Sequence, residues 1–158
     1  MAPADILEKL KSSYMDRCTD NSLIAQAWKD LCSGFPPDFN EDRPVPFMLT
    51  RYAGDIGLSM MWIVQSTVVR AILPELAGSG AEPIREEISA IEPVTIGALA
   101  HSEPADAPLT YTDTGEGWVL SGRKKYITGG TSSDFLLLTA RTPGQEKISA
   151  MFYIPADR

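Results

Sequence analysis

Near Pro93 the spacing of apolar residues changes, and no other feature constrains the fold as much. Before that point apolar residues recur every three or four positions, which places them on one face of a helix. After it, β-branched and aromatic residues gather in short runs separated by glycines, the pattern of short strands. The chain therefore reads as α+β. Residues 1–93 are expected to form an N-terminal antiparallel helix bundle, and residues 94–158 a small, incomplete antiparallel β-barrel domain.

In the first half, Ile6, Leu10, Tyr14 and Cys18 stand four apart with Leu7 beside them, which predicts one apolar face on a first helix. Leu23, Ile24, Ala27, Trp28 and Leu31 predict a second, with Asp20 and Asn21 as caps and Ser33-Gly34 as its stop. Residues 35–46 contain four prolines and read as an irregular connection. Helix is expected to resume at Phe47 and run toward Gly57. Ser59 is then read as the cap of a further helix that carries Met61, Val64, Val68, Ile72 and Leu76 inward. Met60, Trp62, Ile63 and Val69 widen that stripe nearly all round, as in a helix at the middle of a bundle. Pro74 weakens its last turn and Gly78-Ser79-Gly80 ends it. A short last helix follows, with Pro83 in its first turn and Ile84, Ile88 and Ile91 on one side. Cys18 and Cys32 are too few for a disulfide framework and read as small buried apolar residues.

In the second half, residues 95–102 read as a strand in which Gly97 permits close backbone approach. Residues 109–114 and 118–121 read as a hairpin about Gly115-Glu116-Gly117. Residues 125–128 are expected to be a further strand, turned by Gly129-Gly130. Residues 135–140 and 148–154 read as apolar strands on either side of Pro143-Gly144, the last with no visible partner.

Composition removes several function classes. The 14 Lys and Arg against 21 Asp and Glu leave a formal charge of -7, which argues against a nucleic-acid partner. The run Arg123-Lys124-Lys125 reads as a solvated face. Residues 56–73 are the most apolar stretch, but Ser59, Gln65, Ser66, Thr67 and Arg70 interrupt it, so no membrane span is expected. Asp5 and Glu8 break any signal-like stretch, and the cytoplasm is the expected compartment. One histidine is too few for an HExxH metal site, no metal is expected, and no Walker or Rossmann glycine loop is present.

What remains is two polar turns, His101-Ser102-Glu103-Pro104 and Tyr126-Ile127-Thr128-Gly129-Gly130. Each offers hydroxyls and backbone amides at a strand end, the edge that a flat heteroaromatic ligand needs.

The same two turns carry a resemblance. GALAHSEP, followed by GWVLSGRKKYITGGTSSDFLLLTAR, resembles the β-domain signature of the acyl-CoA dehydrogenases, in which Thr-Glu-Pro precedes a Gly-Ser-Asp tail. The second match spans about 25 residues and keeps the order of its elements. The resemblance implies an FAD site. Ser102 stands at the Thr of Thr-Glu-Pro and would meet the pyrimidine edge of the flavin, with the backbone at Leu99 and His101 completing that edge. Tyr126 stands where an aromatic residue stacks near the ring, and Thr128 where a hydroxyl reaches flavin N5. Glu103 is read as structural, and His101 as a strand-end side chain without a catalytic role.

The implied activity is oxidation of an acyl-CoA thioester within fatty acid metabolism, with an electron-transfer acceptor as second partner. Three departures qualify it: Ala-Asp-Ala-Pro-Leu replaces the Gly-Ser-Asp segment, Pro-Pro-Asp-Phe-Asn replaces a glycine-rich loop, and the chain stops at Arg158. In the family a C-terminal four-helix bundle supplies the catalytic base, so no catalytic residue is expected in this chain and the chain alone is expected to be inactive. A homo-oligomer, or a complex with a chain supplying that bundle, is the expected assembly. A non-catalytic assembly partner of the same fold and a related flavin-dependent monooxygenase are the alternative readings.

Overall fold

The structure is a computed structural model, and it describes residues 2–20, 22–35, 44–66 and 95–156. Internal contacts divide the chain into two units, Met1–Ile96 and Gly97–Arg158. Both helix and sheet are present, so the α+β class holds.

The helical unit contains α1 (Pro3–Ser12), α2 (Tyr14–Thr19), α3 (Ser22–Gly34), α4 (Pro44–Met48), a π-helical turn (Leu49–Ala53) and α5 (Ile56–Ile63). The first helix, expected to be continuous, breaks at Ser13, where φ is -94° and ψ 7°. The Ser12 and Ser13 hydroxyls both donate to the Lys9 carbonyl at 2.9 Å and compete there with the backbone ladder. Ile6 and Leu10 stay buried, whereas Tyr14 and Cys18 emerge at the surface, so only Cys32 of the two cysteines is a core residue. Asp20 accepts from the Ser22 amide and hydroxyl at 2.9 and 2.6 Å ahead of α3. Ala27, Trp28 and Leu31 are buried as expected, and the Trp28 and Trp62 rings lie 5.7 Å apart at the centre of the core.

Helix resumes at Pro44, earlier than expected, because proline suits the first turn, where the missing N–H has no partner to lose. The cap of α5 is Asp55 and not Ser59. Gly54, left-handed at φ 70°, closes the π-helical turn, and the Asp55 carboxylate then accepts from the Leu58 amide at 2.8 Å. Ser59 lies inside the helix, where its hydroxyl donates to the Pro46 carbonyl at 2.9 Å. Met61 and Trp62 point into the core, but Ile56, Met60 and Ile63 are exposed, so α5 is not buried all round. Asn21, Val68, Val69, Ile72, Pro74, Leu76, the glycines at 78 and 80, the helix expected over residues 83–91 and most of the 35–46 connection lie outside the described residues.

The β unit contains β1 (Gly97–Ala100), β2 (Thr110–Asp113), β3 (Trp118–Ser121), β4 (Phe135–Ala140) and β5 (Ala150–Pro155). They form two open sheets, β1-β4-β5 and β2-β3, and no closed barrel among the described residues. Nor is the pairing wholly antiparallel. β1 runs parallel to β4, from Gly97↔Phe135 to Ala100↔Leu138, and the long connection between them supplies the crossover that a parallel pair requires. β5, expected to lack a partner, pairs along its whole length with β4, from Ala140↔Ala150 to Phe135↔Pro155. β2 and β3 form the expected hairpin, with Asp113↔Trp118 nearest the turn. The hairpin meets the larger sheet where the Tyr111 amide donates to the Arg141 carbonyl at 2.9 Å, and Tyr111, Trp118 and Phe152 cluster edge to face.

The strand expected over residues 125–128 is absent: no ladder forms there. After β3 the chain must pass close to residues 107–109, and Gly122 makes this possible. Its φ is 134°, and a Cβ there would sit 2.4 Å from the Pro108 carbonyl oxygen. Gly122→Ala should therefore cost about 1–3 kcal/mol. Gly117→Ala, where a Cβ would meet nothing within 4 Å, should stay within about 0.5 kcal/mol of the parent when both variants are compared by urea unfolding.

Candidate functional site

Strand β1 runs out at Ala100 beneath the turn His101-Ser102-Glu103-Pro104, and the irregular segment after Gly122 passes directly beside it. The Lys125 amide donates to the Ser102 carbonyl at 2.9 Å, and the Arg123 amide to the Ala107 carbonyl at 3.0 Å. Residues 102–107 and 123–125, far apart in sequence, are thereby held side by side. The small residues of β1 contribute, since Ala98 and Ala100 are fully buried and let β4 approach closely.

Beneath this junction lies a cluster of charges. Glu103 accepts from the Lys124 ammonium at 2.8 Å, from the Leu109 amide at 3.1 Å and from the Arg141 guanidinium. Lys124 also donates to the His101 carbonyl at 3.1 Å and to the Thr139 hydroxyl at 3.3 Å. Its side chain is only 4% exposed. The reading of Arg123-Lys124-Lys125 as one solvated face is thus wrong at its middle member. Arg123 does lie at the surface, paired with Asp106 at 3.0 Å. A run of three cations gave no sign of this, because a carboxylate on one strand exit and an arginine closing another must first be brought together. The Lys124 hydrogen bond, foremost, and then the Leu109 amide and the charges of Lys124 and Arg141, hold the Glu103 carboxyl below its ordinary range against the opposing effect of burial. Glu103 thus joins Lys124, Arg141 and the Leu109 amide.

Of the residues singled out from the sequence, His101 meets this cluster through its carbonyl. Leu99 is half-buried within β1, opposite Leu137. His101 and Ser102 are exposed at the strand exit, and the carbonyl of each is already engaged, by Lys124 and Lys125. Each of these carbonyls keeps one lone pair, and His101 also carries its amide and its ring. The Ser102 and Thr128 hydroxyls have no hydrogen-bond partner among the described residues and stay available. Tyr126 holds a left-handed backbone, φ 57°, and is 83% exposed, with the Lys125 ammonium 5.2 Å above its ring. A left-handed conformation is uncommon for a bulky aromatic residue and calls for a reason. Two free hydroxyls and an exposed ring are groups of the kind that meet the edge and face of a flat heteroaromatic ligand. Among the described residues no group of three or more His, Cys, Asp or Glu would hold a metal ion, and no helix is long and apolar enough to cross a membrane.

No family model and no curated protein matches the chain. Solved structures do. A structure of KijD3 in complex with FMN and dTDP-3-amino-2,3,6-trideoxy-4-keto-3-methyl-D-glucose aligns with a TM-score of 0.69 at 18% identity, over 98% of this chain and 42% of that one. The FAD complex of PigA aligns with a TM-score of 0.59 at 21% identity, over 98% of this chain and 48% of that one. PigA with FAD and proline gives a TM-score of 0.59 over 97% of this chain and 47% of its own length. The chain thus spans less than half the length of these neighbours, and at such identities what it shares with that part of them is the fold.

Proposed function

We propose that this chain is the front part of a flavin-dependent oxidoreductase of the acyl-CoA dehydrogenase type, holding the isoalloxazine end of FAD between its two adjoining turns. The observation that carries this reading is the Lys125–Ser102 backbone bond, which joins the Ser102 turn to the chain three residues before Thr128. The flavin-bound neighbours of the same fold support it.

On this reading the Ser102 amide and hydroxyl serve the pyrimidine edge, Thr128 donates near N5, and Tyr126 covers one face of the ring. A bound flavin supplies the redox chemistry by accepting hydride. The residues of this chain bind and orient it, and donors placed at its edge favour the reduced, more negative ring. The substrate of the first reading is an acyl-CoA thioester, with a base from outside this chain taking the α-proton and an electron-transfer acceptor reoxidising the flavin. The chain works as an oligomer, or with a partner that supplies the remaining helical bundle.

A second reading keeps the flavin and changes the substrate. After Glu103 the chain makes a tight turn, with the Ala107 amide donating to the Pro104 carbonyl at 3.3 Å, where the acyl-CoA dehydrogenases carry Gly-Ser-Asp. The neighbours of similar fold are bound to proline or to a nucleotide sugar. Both observations favour a substrate other than an acyl-CoA, oxidised by a related flavin monooxygenase.

Equilibrium titration of the purified protein with FAD and with FMN tests the shared claim. One flavin should bind per chain. Thr128→Val should weaken it about two- to tenfold, the loss of one hydrogen bond. A colourless protein that takes up neither flavin sinks both readings and leaves a non-catalytic assembly partner. Anaerobic bleaching by butyryl-CoA of the flavin-loaded assembly, with the bundle that supplies the base present, then selects the first reading, and oxygen consumption by the reduced assembly without such bleaching selects the second.

A further inference from the structure

The hydrogen bonds behind the candidate site determine more than its shape. A lysine ammonium has three protons, and Lys124 has three acceptors in reach: the His101 carbonyl, Glu103 and the Thr139 hydroxyl. Thr139 is 5% exposed, so its own hydroxyl proton must also find a partner or cost free energy. With one lone pair occupied by Lys124, the group it faces is His101 Nδ1, at 3.1 Å. No other acceptor for that proton is present among the described residues. Threonine therefore donates and Nδ1 accepts. In a neutral imidazole an accepting Nδ1 places the ring proton on Nε2. His101 is exposed, and its Nε2 has no partner among the described residues.

We infer that the series Lys124–Thr139–His101 fixes the imidazole as its Nε2–H tautomer and presents that N–H as a hydrogen-bond donor to a carbonyl oxygen, on a flavin ring or on a substrate held against it. The ligand half of this inference rests on the flavin reading above; the tautomer half does not. Lys124 and Thr139 are positioning residues, acting through the ring that meets the ligand. Thr139 lies on β4 and His101 at the exit of β1, so the parallel pairing of these two strands brings the partners together.

His101 is the one histidine of the chain, which makes the test unambiguous. The chain is labelled with ¹⁵N in histidine, and its long-range ¹H–¹⁵N correlations are recorded at about pH 8.5, above the ordinary histidine range. The free chain should show a proton-bearing Nε2 and a bare Nδ1. Thr139→Val should give a mixture of tautomers, and Thr139→Ser should restore the single one. A proton on Nδ1 in the unmodified chain overturns the tautomer, and that spectrum is available even if the valine variant does not fold.

FAD is then added, followed by butyryl-CoA. A shift of the Nε2–H resonance with FAD alone assigns the acceptor to the flavin; a shift only after the thioester assigns it to the substrate carbonyl. His101→Ala should weaken whichever ligand produced the shift about two- to tenfold. FAD bound with the Nε2–H unmoved in both arms overturns the donor role while leaving the flavin site intact. Failure of FAD to bind at all overturns the site and the donor role together, but not the tautomer.

Discussion

Arg17→Met should lower the stability of the helical unit by about 3–5 kcal/mol, the cost of leaving a buried charge without its partner. Arg17 and Asp55 form an ion pair with side chains each only 5% exposed. Arg17 also donates to the Leu10 carbonyl at 2.8 Å, so one guanidinium ties the end of α1 to the start of α5. In the variant the Asp55 carboxylate stays in the core with only the Leu58 amide to satisfy it. Urea unfolding followed by helical circular dichroism should show the midpoint fall. The double variant Arg17→Met, Asp55→Leu should recover part of the loss, because an apolar pair needs no solvation. Lys9→Ala provides the contrast. Its partner Asp30 is 2.7 Å away, but Lys9 is 49% exposed, and the loss should stay under about 1 kcal/mol. An Arg17→Met variant as tolerant as Lys9→Ala would show that the buried pair contributes nothing beyond a surface one.

Glu103→Gln should have an effect of similar size in the β unit, about 3–5 kcal/mol, since it strands Lys124 and Arg141 beside a neutral amide. It should also release the two turns from each other and weaken flavin binding more than Thr128→Val does. The pH dependence follows from the direction of the shift. The folded carboxyl lies below its ordinary value of 4.5, chiefly because of the Lys124 hydrogen bond. A group depressed on folding adds stability that is complete above its unfolded value and is lost as pH falls through the folded one. The parent should therefore lose stability below about pH 4.5, and Glu103→Gln should be flatter over that range. Parallel acid-unfolding curves for parent and variant would show that Glu103 is not the group responsible.

Much of the helical unit was legible in the sequence. Ile6, Leu10, Ala27, Trp28, Leu31, Met61 and Trp62 recur at helical spacing, and all seven are buried. The ends were harder. Asp55 outcompetes Ser59 as cap because Gly54 ends the preceding turn one residue before it, a choice set by the π-helical turn rather than by cap preference. Ser13 splits the first helix because two adjacent hydroxyls compete for one carbonyl, while the apolar spacing runs straight through. In the β unit the strands at 118–121 and 135–140 were located to the residue. The candidate residues Ser102, Tyr126 and Thr128 were chosen by motif order, yet the cluster of charges about Glu103 was not foreseen. Glu103, Lys124, Thr139 and Arg141 lie on three separate stretches, and none is unusual among its own neighbours.

Local periodicity, turn residues and charge balance are properties of short segments, and from them the sequence by itself determined the α+β class, many of the buried helical residues and the rough position of five strands, two of them to the residue. Which strand pairs with which, and in what direction, was decided only by the tertiary structure. Parallel β1–β4 pairing depends on a connection that leaves and returns, and β5 finds its partner only once β4 is in place. The same holds for Lys124. A lysine becomes a buried positioning residue when a carboxylate twenty-one residues earlier and a hydroxyl fifteen residues later reach its ammonium together, and no pattern within a single segment encodes that meeting.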